Sequence, residues 1–170
     1  MGRAMGAGGG DVVIRPAVAA DTIVLGRFGS LLVSLHHELD QDRFFAATER
    51  TEASYAGWLE KQLERQDVVI LVAEVEGTVS AYAYGTVEGP DYMALRGPAG
   101  VIHDLFVDQE HRRLGIGRSL LETMVGELEN RSVPRVVLST AARNEAARRL
   151  FAAAGFRETM VEMARERSPH

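Results

Sequence analysis

Ile23, Val24, Phe28, Leu31, Leu32 and Leu35 recur at the spacing of one helix face, which predicts a helix over 19–39 with Asp21 placed to cap its start. A second amphipathic stretch, "EASYAGWLEKQLERQ" (52–66), aligns Tyr55, Trp58, Leu59 and Leu63, and "LDQDRFFAAT" reads as the connection between the two. Ahead of them "DVVIR" is a short strand stopped by Pro16. The pattern then changes. "VVILVAEVEGTVSAYAYGTVEG" places β-branched and aromatic residues on both sides of Glu76-Gly77, the signature of a β-hairpin. "PDYMALRGP" is a loop bounded by proline and glycine, and "VIHDLFVD" (101–108) is another strand. A helix over 116–130 turns Leu120, Leu121, Met124, Val125 and Leu128 inward. "RVVLST" is an unbroken apolar strand suited to burial on both faces. A helix over 144–154 starts at Asn144 and ends at Gly155, and "FRETMVEMARE" (156–166) is a last strand with weak alternation. Strands dispersed among helices, without a long repeat, predict an α/β (α+β) fold with a mixed sheet. The glycine-rich start, 1–10, reads as a disordered leader, and 11–170 as one domain.

Composition narrows the function. With 170 residues and 46% hydrophobic residues, the chain can bury a core without staples. It has no cysteine, which excludes disulfides, thiolate zinc sites and a cysteine nucleophile, and fits a reducing, cytoplasmic setting. No apolar run approaches the ~18 residues of a membrane helix, so no membrane partner is expected. A net charge of −5 argues against nucleic acid as a partner. An anion site must then be made locally, and "HRRLGIGRSLL" (111–121) reverses the local charge. Arg112, Arg113 and Arg118 surround Gly115 and Gly117, with Glu110 as the one acid nearby. A helix start offers unpaired N–H groups and a partial positive charge, and glycines let backbone approach an anion. Those features suit a diphosphate. Spacing alone fits a plain strand-to-helix turn with solubilising arginines equally well. Two phosphate motifs fail here: the P-loop lysine is absent, and Leu120 stands where a Rossmann fingerprint needs its third glycine.

Arg112-x-x-Gly115-x-Gly117, between "LFVD" and an amphipathic helix, resembles the coenzyme A loop of the GNAT superfamily of acyl-CoA-dependent N-acyltransferases. The likeness extends to "VVIRPA" and the "AD" after it, to "NEAARRLFAAAGF" and to "TMVEMARE", and so spans 12–166. It implies a GNAT-like mixed central sheet of about six to seven strands, with two early and two late helices on opposite faces. It also implies that "VIHDLFVD" and "RVVLST" splay apart to admit acetyl-CoA as cosubstrate, without a metal. Main-chain groups of Leu105, Phe106 and Val107 would read the pantetheine arm. Amides of Arg112, Arg113, Leu114, Gly115, Ile116, Gly117 and Arg118 would hold the pyrophosphate. Asn144 matches a cofactor-contacting position and is equally an N-cap. Phe151 stands where many family members have a tyrosine that protonates the departing sulfur.

The implied reaction is direct attack by a primary amine on the thioester, in a ternary complex. Such an amine, with a pKa of ~10.4 for a lysine-like group, must lose a proton first. Asp104 and His103, beside the expected acetyl group, are the candidate bases; they point to opposite faces of their strand. Tyr82, Tyr84 and Tyr92 are candidate proton donors to sulfur. His36-His37-Glu38, Glu52 and Trp58 fall near the expected acceptor groove. The acids Glu38, Asp40, Asp42, Glu49, Glu52 and Asp91 suit polyamines, aminoglycosides or basic peptides. The acceptor is thus a small-molecule or peptide amine, and the last strand offers an edge for a homodimer. A non-catalytic acyl-CoA-binding sensor or regulatory module of the same fold is the alternative.

Overall fold

The hairpin signalled at Glu76-Gly77 forms the middle of the sheet. In the computed structural model, which describes residues 3–4 and 11–167, strands β3 (Val68–Val75) and β4 (Thr78–Glu88) flank that turn. The described sheet runs in the order β1 (Arg3–Ala4), β2 (Val12–Pro16), β3, β4, β5 (Ala99–Val107), β6 (Val136–Leu138). Every neighbouring pair is antiparallel except β5–β6, which is parallel. The leader expected over 1–10 lies outside the described residues, apart from Arg3 and Ala4, which pair with Val13 and Val12.

Alternation along β3 serves two cores. Val69, Leu71 and Ala73 pack with Ala81, Ala83 and Ile102 against Leu120, Leu121, Met124 and Leu128 of α3 (Ile116–Glu129). Leu150 and Phe151 of α4 (Glu145–Ala153) join the margin of that cluster. Val68, Ile70 and Val72 share the second cluster with Tyr82, Tyr84 and Phe106, against Leu25 and Phe28 of α1 (Thr22–Leu39) and Leu59 of α2 (Thr51–Gln62). A strand buried on both faces reads as a continuous apolar run, and "VVILVA" is one.

Two expectations are corrected. The segment 156–166 forms no strand, and the sheet reaches six strands only by counting the two residues of β1. The physical reason is visible in the segment itself. Met160, Val161 and Met163 fall on both sides of an extended chain, so no single apolar face exists to bury, and all three are exposed. Its charged residues pair with the surface instead, Glu158 with Arg148 and Glu162 with Arg43. Asp21, expected to cap the first helix, makes no side-chain cap bond. Its carboxylate accepts from Arg15 at 2.8 and 3.0 Å and from the Val18 N–H at 2.8 Å, tying β2 to the helix entry.

Candidate active site

The parallel pair β5–β6 is short. Gly100, Val101 and Ile102 pair with Val136, Val137 and Leu138, and there β6 ends. Beyond it β5 continues against β4 alone, so 103–107 has no strand on its other side among the described residues. The parting coincides with a bulge. Tyr84 faces Asp104 and Gly85 faces Ile102, which leaves His103 as the extra residue. An unpaired strand edge is a template for an extended partner. Leu105, Phe106 and Val107 lie on this edge, although the Val107 carbonyl already accepts from Arg112 Nε at 3.0 Å.

The edge runs into the loop before α3. Gly115 has φ of 80° and Arg113 φ of 64°, so the chain makes a left-handed turn at both. Among the described residues, the N–H groups of 113–118 have no hydrogen-bond partner inside the protein. The two glycines differ in what they require. Gly115 is explained by its dihedral. Gly117 has no positive φ, and a Cβ there would meet only Val107 Cγ2 at 3.4 Å and Leu150 Cδ2 at 3.7 Å, ordinary contacts. The fold itself does not demand a glycine at 117; a ligand lying on these amides would. Arg113 and Leu114 are exposed, Ile116 is buried beneath the turn, and Arg118 pairs with Glu122 at 2.8 Å. Arg112 lies over the Phe106 ring at 5.7 Å. Asn144 Oδ1 accepts from the Ala147 N–H at 3.1 Å, the N-cap expected of it. Phe151 packs on Phe156, with ring centroids 6.1 Å apart.

At the other end of the open edge a cleft of about 210 Å³ is lined by Leu32, Val33 and His36 of α1, by Phe44 and Phe45 of the connection, and by His103 and Asp104. Asp104 Oδ2 accepts from the hydroxyls of Tyr55 and, at 3.1 Å, Tyr82. Burial among these rings pushes the Asp104 carboxyl up to about 7. Burial raises the Tyr82 hydroxyl too, so it stays protonated at neutral pH. Tyr55 reaches Asp104 because α2 lies directly on α1: a Cβ at Gly29 would stand 2.0 Å from Tyr55 Cδ1. His103 Nε2 is 3.1 Å from Glu88 Oε1 and 2.9 Å from Thr86 Oγ1. A carboxylate only accepts, so Nε2 carries the proton and is committed to Glu88. His36 Nδ1 donates to the Leu32 carbonyl at 2.8 Å, and His37 Nδ1 to the Phe44 carbonyl at 2.7 Å, which fixes one wall.

The remaining sequence candidates separate cleanly. Tyr84 is buried with its hydroxyl on Gln62, and Tyr92 is exposed in the loop closed by Asp91 and Arg96. Trp58 stacks on Tyr55 and meets Tyr84 edge-on, and neither Trp58 nor Glu52 lines the cleft. Leu32, Val33, Phe44 and Phe45 were not singled out from the sequence as site residues, and Tyr55 only as part of a helix face. Among the described residues no group of three or more His, Asp and Glu side chains is placed to hold a metal, and no helix is long and apolar enough to cross a membrane.

Solved structures share this fold. A mutant of the BH1408 protein of Bacillus halodurans superposes with a TM-score of 0.80 at 20% identity, over 92% of this chain and 99% of that one. The aminoglycoside N-acetyltransferase AAC(6')-Iy, solved with CoA, gives 0.69 at 16% identity, over 96% of this chain and 100% of that one. The Acetyltransferase (GNAT) family pattern matches residues 32–156, and the chain belongs to that family. The [ribosomal protein bS18]-alanine N-acetyltransferase of Escherichia coli K12 is 38% identical over 60 residues, 35% of this chain. The match spans 40% of that relative's length.

Proposed function

We propose that this protein transfers an acetyl group from acetyl-CoA to a primary amine by direct attack in a ternary complex. The observation that carries the reading is the position of Asp104. It sits where the unpaired edge of β5 meets the cleft, with its carboxyl pushed up to about 7. A base is most effective when its pKa lies near the operating pH. Asp104 accepts a proton from the incoming ammonium, and the neutral amine attacks the thioester carbonyl. A free-edge N–H among Leu105, Phe106 and Val107 is the donor for the developing oxyanion. The free amides of 113–118, flanked by Arg112, Arg113 and Arg118, suit the coenzyme's diphosphate. The coenzyme supplies the activated acyl carbon and a thiolate leaving group.

In this reading His103 lines the rim of the cleft with its Nε2–H turned to Glu88, and the proton goes to Asp104. Phe151 has no proton to give, and Tyr82 donates to Asp104, so as the C–S bond breaks the nitrogen sheds its second proton to solvent and the departing thiolate takes one from solvent. Asn144 contacts the coenzyme while capping α4, and Phe151 packs beside it. The curated relatives are alanine N-acetyltransferases of ribosomal protein bS18, and one structural neighbour is an aminoglycoside N-acetyltransferase; both kinds of acceptor are amines. A cytoplasmic setting and a homodimer belong to the same proposal, the dimer without the last-strand edge expected for it, and sedimentation of the purified chain tests it.

The test is a thermal-shift titration with acetyl-CoA, followed by thiol release with a panel of amines. A rise in Tm with saturating acetyl-CoA and amine-dependent thiol release are expected. Binding without release on any amine selects the sensor module instead.

A further inference from the structure

The cleft beside Asp104 also says what kind of amine it takes. We infer, resting on the transferase reading above, that the acceptor is a small primary amine with one cationic nitrogen and an apolar alkyl or aryl arm. Four of the side chains lining the cleft are Leu32, Val33, Phe44 and Phe45. Asp104 is the one acid among them. None of the acids flagged in the sequence (Glu38, Asp40, Asp42, Glu49, Glu52 and Asp91) lines it. Asp40 instead accepts from the Arg43 N–H at 3.3 Å, and Asp91 from the N–H groups of Met93 and Ala94 at 3.0 Å.

One carboxylate pairs with one ammonium. A second ammonium inside the cleft would face Leu32, Val33, Phe44 and Phe45 and two histidines, with no second carboxylate, and an unpaired charge out of water is costly. Size points the same way. About 210 Å³ is below the ~300–1,000 Å³ of pockets for drug-sized ligands, so a multi-ring polyamine sugar would leave most of its rings outside the cleft.

On the walls formed by α1 and the connection, an extended peptide finds few main-chain partners, which leaves it only the unpaired β5 edge at 103–104. Peptide recognition by backbone needs unpaired N–H and C=O groups along the cleft. Leu32, Val33 and His36 lie inside α1, where those groups are used by the helix. The Leu32 carbonyl also accepts from His36, the Phe44 N–H donates to the Asp40 carbonyl at 3.0 Å, and the Phe44 carbonyl accepts from His37. The larger part of the lining is thus an apolar wall, with His36, His103 and the proton acceptor Asp104 beside it.

The experiment compares kcat/KM for phenethylamine and n-hexylamine with that for spermidine, kanamycin and an alanine-initiated heptapeptide, all with acetyl-CoA. At least a tenfold preference for the two apolar monoamines is expected. Phe44→Ala should raise KM for phenethylamine at least fivefold and leave KM for acetyl-CoA unchanged. Phe45 is exposed at the rim, so Phe45→Ala is a variant that folds, and a smaller rise of the same kind is expected. Equal or better turnover of spermidine, kanamycin or the peptide overturns this inference and leaves the transferase reading standing. An unchanged KM for phenethylamine in both variants overturns it as well. Acetyl-CoA binding without turnover of any amine overturns the transferase reading, and this inference with it.

Discussion

Asp104 is held by two phenols, and this sets what it does. Hydrogen bonds from Tyr55 and Tyr82 favour the ionised carboxylate, while burial disfavours it, and burial wins. Tyr55→Phe removes one of the two donors. The apparent base pKa in kcat/KM should therefore move upward, and a pH–rate profile from 5 to 9 checks the direction. Asp104→Asn keeps an acceptor for both phenols but cannot take a proton, and kcat should fall about 10²- to 10⁴-fold. A profile that keeps its inflection in Asp104→Asn would place the base elsewhere. Asp104 was named from the sequence as a site residue, together with His103, because the family resemblance sets their strand beside the expected acetyl group. Its partner Tyr55 was not, since 49 residues separate them and the contact depends on how closely α2 lies on α1. Gly29 was the available clue. Gly29→Ala drives a methyl into the Tyr55 ring, so it should lower Tm and displace Tyr55 from Asp104 together.

At the scale of elements, the turn into α3 gives a sharper test than its arginines do. Alanine in place of glycine inside a helix stabilises it by roughly 0.5–1 kcal/mol where the space allows. A Cβ at Gly117 has that space, in the second position of α3. Gly117→Ala should therefore leave the Tm of the free protein unchanged or slightly higher. If a diphosphate lies on the amides of 113–118, the same methyl should raise KM for acetyl-CoA and shrink the acetyl-CoA-induced Tm shift. A variant that lost Tm without ligand would mean that the fold, and not a ligand, needs this glycine. Strongly periodic elements such as α1, α3 and the β3–β4 hairpin were readable from the chain because local spacing decides them. The segment 156–166 was not, because two or three apolar residues without a consistent face leave pairing to the rest of the molecule. The walls of the cleft were hidden for a related reason. Phe44 and Phe45 sit in a connection that no periodicity marks, and His37 and the packing of α1 bring them in.

For the whole molecule, two buried carboxyls pull stability in opposite directions with pH. Asp21 is bound to Arg15, and through it to Glu74, and the Arg15 guanidinium holds its carboxyl below the usual range. A group depressed on folding stabilises above its unfolded pKa of ~3.9, and that contribution is lost as pH falls through the folded value. Asp104 is the reverse case. Its folded value of about 7 lies above the unfolded ~3.9, so its contribution is present at acid pH and is lost as pH rises from about 4 to 7. Above that range the ionised Asp104 costs the fold up to about 4 kcal/mol. Tm measured against pH should therefore be highest on the acid side of neutrality, while kcat/KM rises through about 7, because the ionised form is both the reactive and the destabilising one. Asp21→Asn should lower Tm at pH 7 by about 4–10 °C, and that difference should shrink as pH falls below ~3.9 and vanish only once Asp21 is protonated in the folded protein too. Asp104→Asn should do the opposite and raise Tm at pH 8 with little change at pH 4. If Asp104→Asn instead destabilised the protein equally at both pH values, Asp104 would be a structural hydrogen-bond acceptor. The carboxyl would then not be held near neutrality at the expense of the fold, and the base in the proposed reaction would have no physical support.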